Sequence, residues 1–127
     1  MRAKDCSGRT LAFLGDAVWS LLVRKHLIEK GEGIGKDLQK KTIHFVSAKA
    51  QASFYDALKE KNFFTEEEEE YFKRGRNANA GSVPKNTPVP IYRKSTGFEA
   101  LIGALEIEQK EDRIYEIWEQ VRTLMGE

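Results

Sequence analysis

The chain has 127 residues, 40% of them hydrophobic and 32% charged, which is typical of a single globular domain over residues 1–127. Basic and acidic side chains nearly cancel to a formal charge of +1, so bulk charge indicates no class of partner. The one cysteine, Cys6, excludes an intrachain disulfide and favours a reducing, cytoplasmic setting. No apolar run reaches the roughly 18 residues of a membrane span, so neither a membrane partner nor a targeting segment is expected.

Apolar periodicity predicts six helices and no strand. The first helix runs from Ser7 to Lys30 and ends where glycines follow. The second begins near residues 35–37 and ends near Ile43. The third ends near Asn62, and its apolar face consists of Phe45, Ala48, Ala52, Tyr55 and Leu58.

The fourth helix is predicted from a capping box, in which Thr65 is followed three residues later by Glu68. The glutamate run at 66–70 suits the positive end of this helix and is interpreted as a solvated face. Lys73 and Arg74 suit its negative end.

A loop with all three prolines separates the fourth helix from the last two. Trp19 and Trp118 are assigned to the core. The fifth helix is defined by Phe98, Leu101, Ile102 and Leu105, and the sixth by Ile114, Ile117, Trp118, Val121 and Met125. The sequence therefore predicts an all-α domain, a helical bundle.

The charge is unevenly distributed along the chain. Residues 71–98, which we call the basic segment, contain six basic side chains and no acid. Such a segment can build a positive surface on a neutral protein, and its arginines and asparagines suit contacts with phosphates and base edges. The candidates within it are Arg74, Arg76, Asn77, Asn79, Lys85, Asn86, Arg93 and Lys94; His44 and Lys49 lie in a second basic neighbourhood.

Two acids stand in apolar helices, each near a glycine: Asp16 beside Gly15, and Glu99 four residues before Gly103. If the two helices cross at these glycines, the carboxylates converge on a hard cation such as Mg²⁺, which activates water for attack on a phosphodiester. Two other interpretations stay open. Asp16 can be a solvent-facing or turn residue, and Thr96 with Glu99 fits the capping box of a helix start.

Several segments resemble the ribonuclease III family. The run from Leu11 to Val18 is similar to the family's signature helix, and residues 98–104 are similar to its second catalytic segment. Other motifs resemble the short Mini-ribonuclease III branch: residues 45–52 (FVSAKAQA), 64–69 (FTEEEE), 74–78 (RGRNA), 84–87 (PKNT) and 92–100 (YRKSTGFEA).

This resemblance implies a homodimeric catalytic domain, without a double-stranded RNA-binding domain, that cuts double-stranded RNA with Mg²⁺, or Mn²⁺ in its place, bound by Asp16 and Glu99. The products would carry a 5′ phosphate and a 3′ hydroxyl. For the Mini branch, the implied task is maturation of the ends of precursor 23S ribosomal RNA, with the possible help of a ribosomal protein left open. The duplex would then be held by the catalytic domain itself, through shape, phosphates and 2′-hydroxyls.

The sequence departs from the larger family at two positions. Full-length ribonuclease III has a glutamate at the position of Ala12 and an aspartate at the position of Thr96, each one helical turn from a retained acid. Two carboxylates should hold Mg²⁺ more loosely and through more water, with Thr96 orienting such a water. Two alternatives follow: a non-catalytic double-stranded RNA-binding module with this fold, or a helical protein-interaction domain.

Overall fold

The computed structural model describes residues 1–31, 36–78 and 82–127, and within these ranges it contains helices and no strand. A short 3₁₀ turn at Ala3–Asp5 precedes the helices, which are α1 (Gly8–Glu29), α2 (Lys36–Val46), α3 (Ala48–Glu60), α4 (Glu66–Arg76), α5 (Val89–Ile107) and α6 (Glu111–Leu124). The prediction of an all-α domain is confirmed. None of the helices described is long and apolar enough to cross a membrane.

Local capping signals explain several of the helix boundaries. The Ser7 side chain accepts a hydrogen bond from the Thr10 amide and begins α1, as predicted. Thr65 and Glu68 form the predicted capping box at the start of α4. Gly126 follows α6 with a φ of +77°, a conformation that glycine adopts without strain.

Helix α5 forms the centre of the bundle, because it packs against α1, α3, α4 and α6. Trp19 of α1 is fully buried and packs edge-on against Phe98, with ring centroids 4.9 Å apart, and against Trp118, at 5.2 Å. Its indole Nε1 donates a hydrogen bond to the Phe45 carbonyl at 2.9 Å, so the polar atom of this core side chain is satisfied. Both tryptophans are core residues, as predicted.

Two predicted boundaries are wrong. Phe45 belongs to α2, because Ser47 interrupts the helix and caps α3 by accepting a hydrogen bond from the Ala50 amide. Helix α5 begins at Val89, seven residues before Thr96. The amides of a first helical turn have no acceptor within the helix, so Pro88 and Pro90, which lack an amide proton, lose no hydrogen bond there. Thr96 and Glu99 therefore lie inside the helix, and their interpretation as a capping box is wrong.

The glutamate run at 66–70 is only partly a solvated face. Glu68 is buried and accepts hydrogen bonds from the Arg113 guanidinium at 2.7 and 2.9 Å. Glu69 accepts from the Tyr55 hydroxyl at 2.8 Å and pairs with Lys59 at 2.7 Å. These two acids connect α4 to α6 and α3, which a run of one residue type does not reveal.

Candidate active site

Helices α1 and α5 touch backbone to backbone at two glycines. A Cβ atom placed on Gly15 would lie 1.7 Å from the Glu99 carbonyl oxygen, and one on Gly103 would lie 1.9 Å from the Leu11 carbonyl oxygen. No side chain larger than hydrogen fits at either point. The crossing inferred from the glycine positions is therefore present, and it places the two acids side by side.

The carboxyl groups of Asp16 and Glu99 meet beside this crossing. Asp16 is exposed on α1, whereas Glu99 is partly buried on α5, and the two side chains share a hydrogen bond. Burial, followed by the charge of Asp16 and this hydrogen bond, raises the pKa of the Glu99 carboxyl to about 8. The site thus holds one acid in water and one under a strong penalty for ionisation, which is an arrangement that stability alone does not favour.

A third polar side chain reaches the same point from α3. Gln51 is 1% exposed, and its Nε2 donates a hydrogen bond to Glu99 Oε2 at 3.4 Å. Gln51 is not among the site residues predicted from the sequence. The available signal was an amide on the apolar face of α3, since Gln51 stands three residues after Ala48 and four before Tyr55.

The two positions that depart from the larger family lie on the same helices. Ala12 is buried, with 6% of its surface exposed, one turn before Asp16. The Thr96 hydroxyl donates to the Tyr92 carbonyl within α5 at 3.0 Å, so its proton is used on the backbone while its lone pairs can still accept. The role of Thr96 in orienting a water stays a prediction.

The carboxyl oxygens at this site suit a loosely held divalent cation. Within the described ranges, no three His, Cys, Asp or Glu side chains form a group that could hold a metal ion. Asp16 and Glu99 present two hard carboxyl groups, and a cation bound there would offset both the burial and the charge of Asp16 that oppose ionisation of Glu99. Mg²⁺ accepts few protein ligands and retains several waters, so two carboxylates suit it.

Arg74 has a structural role that its sequence context did not predict. Its Nη1 donates to the carbonyl oxygens of Ala3, Lys4 and Cys6 at 3.3, 3.0 and 3.1 Å. The guanidinium also lies 5.3 Å from the ring centroid of Tyr71. Arg74 therefore fastens the N-terminal segment to α4, and its contact with RNA stays a prediction.

Three further basic side chains, Arg76, Arg93 and Lys94, already contact other groups of the protein. Arg93 Nη1 donates to the Arg76 carbonyl at 3.2 Å, and Arg76 Nε donates to Asn77 Oδ1 at 3.2 Å. Lys94 Nζ lies 2.8 Å from an Asp56 carboxylate oxygen. An approaching phosphate would have to compete with these contacts.

The remaining predicted RNA-contact residues are exposed where the structure describes them. Lys85 and Asn86 occupy a turn between α4 and α5, and His44 and Lys49 lie on α2 and α3. Asn79 lies outside the described residues. The structure thus leaves the predicted contact set as two groups, one in the basic segment and one near the junction of α2 and α3.

The chain is similar in sequence and in structure to known proteins. The model of the ribonuclease III domain family matches residues 9–110. A Mini-ribonuclease 3 from Enterococcus faecalis is 41% identical over 90% of this chain and 86% of its own length, and one from Brevibacillus brevis is 50% identical over 91% and 84%. The crystal structure of a Fusobacterium nucleatum protein superposes with a TM-score of 0.83 at 38% identity, covering 92% of this chain and 93% of that one.

Proposed function

We propose that this chain, which belongs to the ribonuclease III family and is an endoribonuclease of double-stranded RNA, depends on Mg²⁺. Its catalytic carboxylates in this proposal are Asp16 and Glu99. The observation that supports this proposal is the meeting of these two acids at the contact between α1 and α5. Nothing in the packing of the bundle requires a partly buried Glu99 beside a second carboxyl.

Asp16 and Glu99 would hold the ion between α1 and α5. A divalent cation held there would supply Lewis acidity for the attack of water on a phosphodiester. The protein contributes rigidity, because the Gly15 and Gly103 contacts keep the two backbones from separating. Hydrolysis would leave a 5′ phosphate and a 3′ hydroxyl. Mn²⁺ should substitute, since it accepts the same oxygen ligands.

The proposed duplex-binding surface lies on the catalytic domain itself. The exposed residues of the basic segment would bind phosphates on one side, with Lys49 and His44 on another. Contacts to phosphates and 2′-hydroxyls suit an A-form duplex, whose deep groove hides its base edges. Binding through phosphates predicts that the affinity for duplex RNA falls strongly as the salt concentration rises, because each neutralised phosphate releases counterions.

We propose that two copies of the chain form the working enzyme. Phe13 is 83% exposed on α1 and Leu21 is 59% exposed on the same helix, a larger apolar surface than a charged, water-facing helix normally carries. Phe13 precedes Asp16 by one turn, so a partner seated on this face would adjoin the active site. Light scattering should give twice the mass of one chain, and Phe13→Glu should return it to a single chain.

The substrate we propose is the base-paired stem of precursor 23S ribosomal RNA in the cytoplasm, as implied by resemblance to the Mini branch. The deciding test is cleavage of this stem with Mg²⁺ or EDTA by wild type and Glu99→Gln. Mg²⁺-dependent cutting that disappears in Glu99→Gln would support both the substrate and the site. Tight binding without cutting under any metal would instead indicate a non-catalytic clamp.

A further inference from the structure

Gln51 connects α3 to the acidic site through a single hydrogen bond. Its Nε2 donates to Glu99 Oε2 at 3.4 Å, and the residue is 1% exposed. Glu99 thus receives a neutral donor from α3 on one side and contacts the carboxyl of Asp16 from α1 on the other. Side chains from three helices therefore meet at the Glu99 carboxyl, and two of these three side chains are acids.

The packing of α3 does not call for an amide at this point. The buried neighbours of Gln51 on the same helix include Ala52, Phe54 and Leu58, and a leucine at position 51 would continue that apolar surface. A buried primary amide is unfavourable unless its polar atoms find partners. The partner here is the carboxylate that the proposed function uses, which suggests that the amide serves the site.

The chemical type of the donor is also informative. Lysine or arginine at this position would hold Glu99 more strongly, but its charge would neutralise the carboxylate and repel a cation. A neutral amide would orient Oε2 and leave the negative charge of the carboxylate available to a cation. Hydrogen bonds of this kind commonly orient metal-binding carboxylates.

The backbone that carries Gln51 is held in place at the start of α3. The Ser47 side chain accepts from the Ala50 amide at 3.1 Å, and the Ser47 carbonyl accepts from the Gln51 amide at 3.0 Å. The first turn of α3 is therefore closed by a cap immediately before Gln51. The cap therefore fixes the backbone position from which the Gln51 side chain reaches Glu99.

We propose that Gln51 is a positioning residue that orients Glu99 for binding of the divalent cation, an inference that rests on the proposed function. It acts through Glu99 and does not contact the reacting atoms.

The test compares Gln51→Leu with wild type by Mn²⁺ affinity, measured from the free-ion electron paramagnetic resonance signal, and by kcat and KM on duplex RNA. We expect Mn²⁺ affinity and kcat to fall about 10-fold or more, with the KM for RNA unchanged. Gln51→Asn, which keeps the amide on a shorter stem, should recover part of the loss, and saturating Mg²⁺ should recover part of the Gln51→Leu activity. Tyr71→Phe is the matched control, since it removes another buried donor to a carboxylate, Glu108, at 3.0 Å.

The outcomes separate this inference from the proposed function. Wild-type Mn²⁺ affinity and kcat in a Gln51→Leu protein with a normal melting temperature would overturn the positioning role. A loss of the same size in Tyr71→Phe would also overturn it, because the effect would then be general destabilisation. If wild type itself neither binds Mn²⁺ nor cuts duplex RNA, the proposed function fails instead.

Discussion

The backbone of Gly15 lies against the carbonyl oxygen of Glu99, so closely that a Cβ atom would come within 1.7 Å of it. Gly15, which adjoins the proposed metal ligand Asp16, thus contacts the residue that carries the second proposed catalytic acid. Because backbone atoms cannot move aside as a flexible side chain can, the distance between α1 and α5 is fixed at the active site. Fold stability and site geometry are coupled at this contact.

Gly15→Ala should therefore separate the helices and damage both properties. We expect a loss of about 3 kcal/mol in the free energy of unfolding, at the upper end of overpacking effects, and little remaining cleavage. Denaturant unfolding and an RNA cleavage assay measure the two effects. Gly126→Ala is the control, since nothing lies within 4 Å of it and its φ of +77° alone should cost about 1–2 kcal/mol. Near-normal cleavage in Gly15→Ala would contradict the coupling.

Asp16→Asn should abolish cleavage while leaving the fold intact. The substitution removes a proposed metal ligand, and even residues that only support ligands cost 10–100-fold, so we expect a loss above about 100-fold. The charge of Asp16 opposes ionisation of Glu99, so its removal should lower the pKa of Glu99 and leave the unfolding free energy equal or higher by up to about 1 kcal/mol. Thermal melts and cleavage assays are sufficient. Loss of folding would contradict assignment of Asp16 as a metal ligand.

Glu68→Gln should destabilise the fold in a pH-dependent way. Burial raises the pKa of the Glu68 carboxyl, but hydrogen bonds from Arg113 and the Thr65 backbone, with the charge of Arg113, outweigh it and leave the pKa below its usual range. The folded-state pKa is below the unfolded one, so this stabilisation is complete above pH ~4.3 and disappears as pH falls through the folded value. We expect a loss of about 2 kcal/mol at pH 7.

The pH dependence of unfolding distinguishes this mechanism from general damage. The difference between wild type and Glu68→Gln should shrink toward pH 3, as the wild-type carboxyl becomes protonated. Glu70→Gln is the matched control, because Glu70 is exposed and its contact with Lys73 is 4.0 Å long, so it should change stability by less than about 0.5 kcal/mol. A pH-independent difference for Glu68→Gln would argue against the Arg113 interaction as its cause.

Arg74→Ala and Lys85→Ala should behave differently. Arg74 binds three carbonyl oxygens of the N-terminal segment, so its loss leaves acceptors unpaired and should lower stability by about 2 kcal/mol. Lys85 is exposed in a turn, so its loss should leave stability unchanged and weaken duplex binding, reducing the salt slope by about 0.7–0.9 per phosphate contact. Melting curves and binding titrations at several salt concentrations check both. Equal effects of the two variants on binding with no effect on stability would contradict the structural role of Arg74.

Much of this protein follows from local signals in the sequence. The capping side chains of Ser7 and Thr65 mark helix starts because they satisfy backbone amides within three residues of themselves. The unfavourable placement of Gly15 and Asp16 within an apolar helix indicated a site for a similar reason, since residues that weaken a helix need another explanation. These inferences depend only on neighbours along the chain.

Tertiary structure decided what depends on distant parts of the chain. The start of α5 at Val89 and the break at Ser47 overrode the expected boundaries. Gln51 is 48 residues from Glu99, and Arg74 is about 70 from the carbonyls it binds, so no local pattern connects them. The sequence by itself determined that the chain is helical and singled out two acids beside glycines, because caps and periodicity act within a few residues, and its motifs carried the resemblance to the family. Only the packing of α3 against α5 decided that the Gln51 amide faces Glu99, and only the docking of the N-terminal segment on α4 decided that Arg74 is held by backbone carbonyls, because both contacts join parts of the chain that are far apart in sequence.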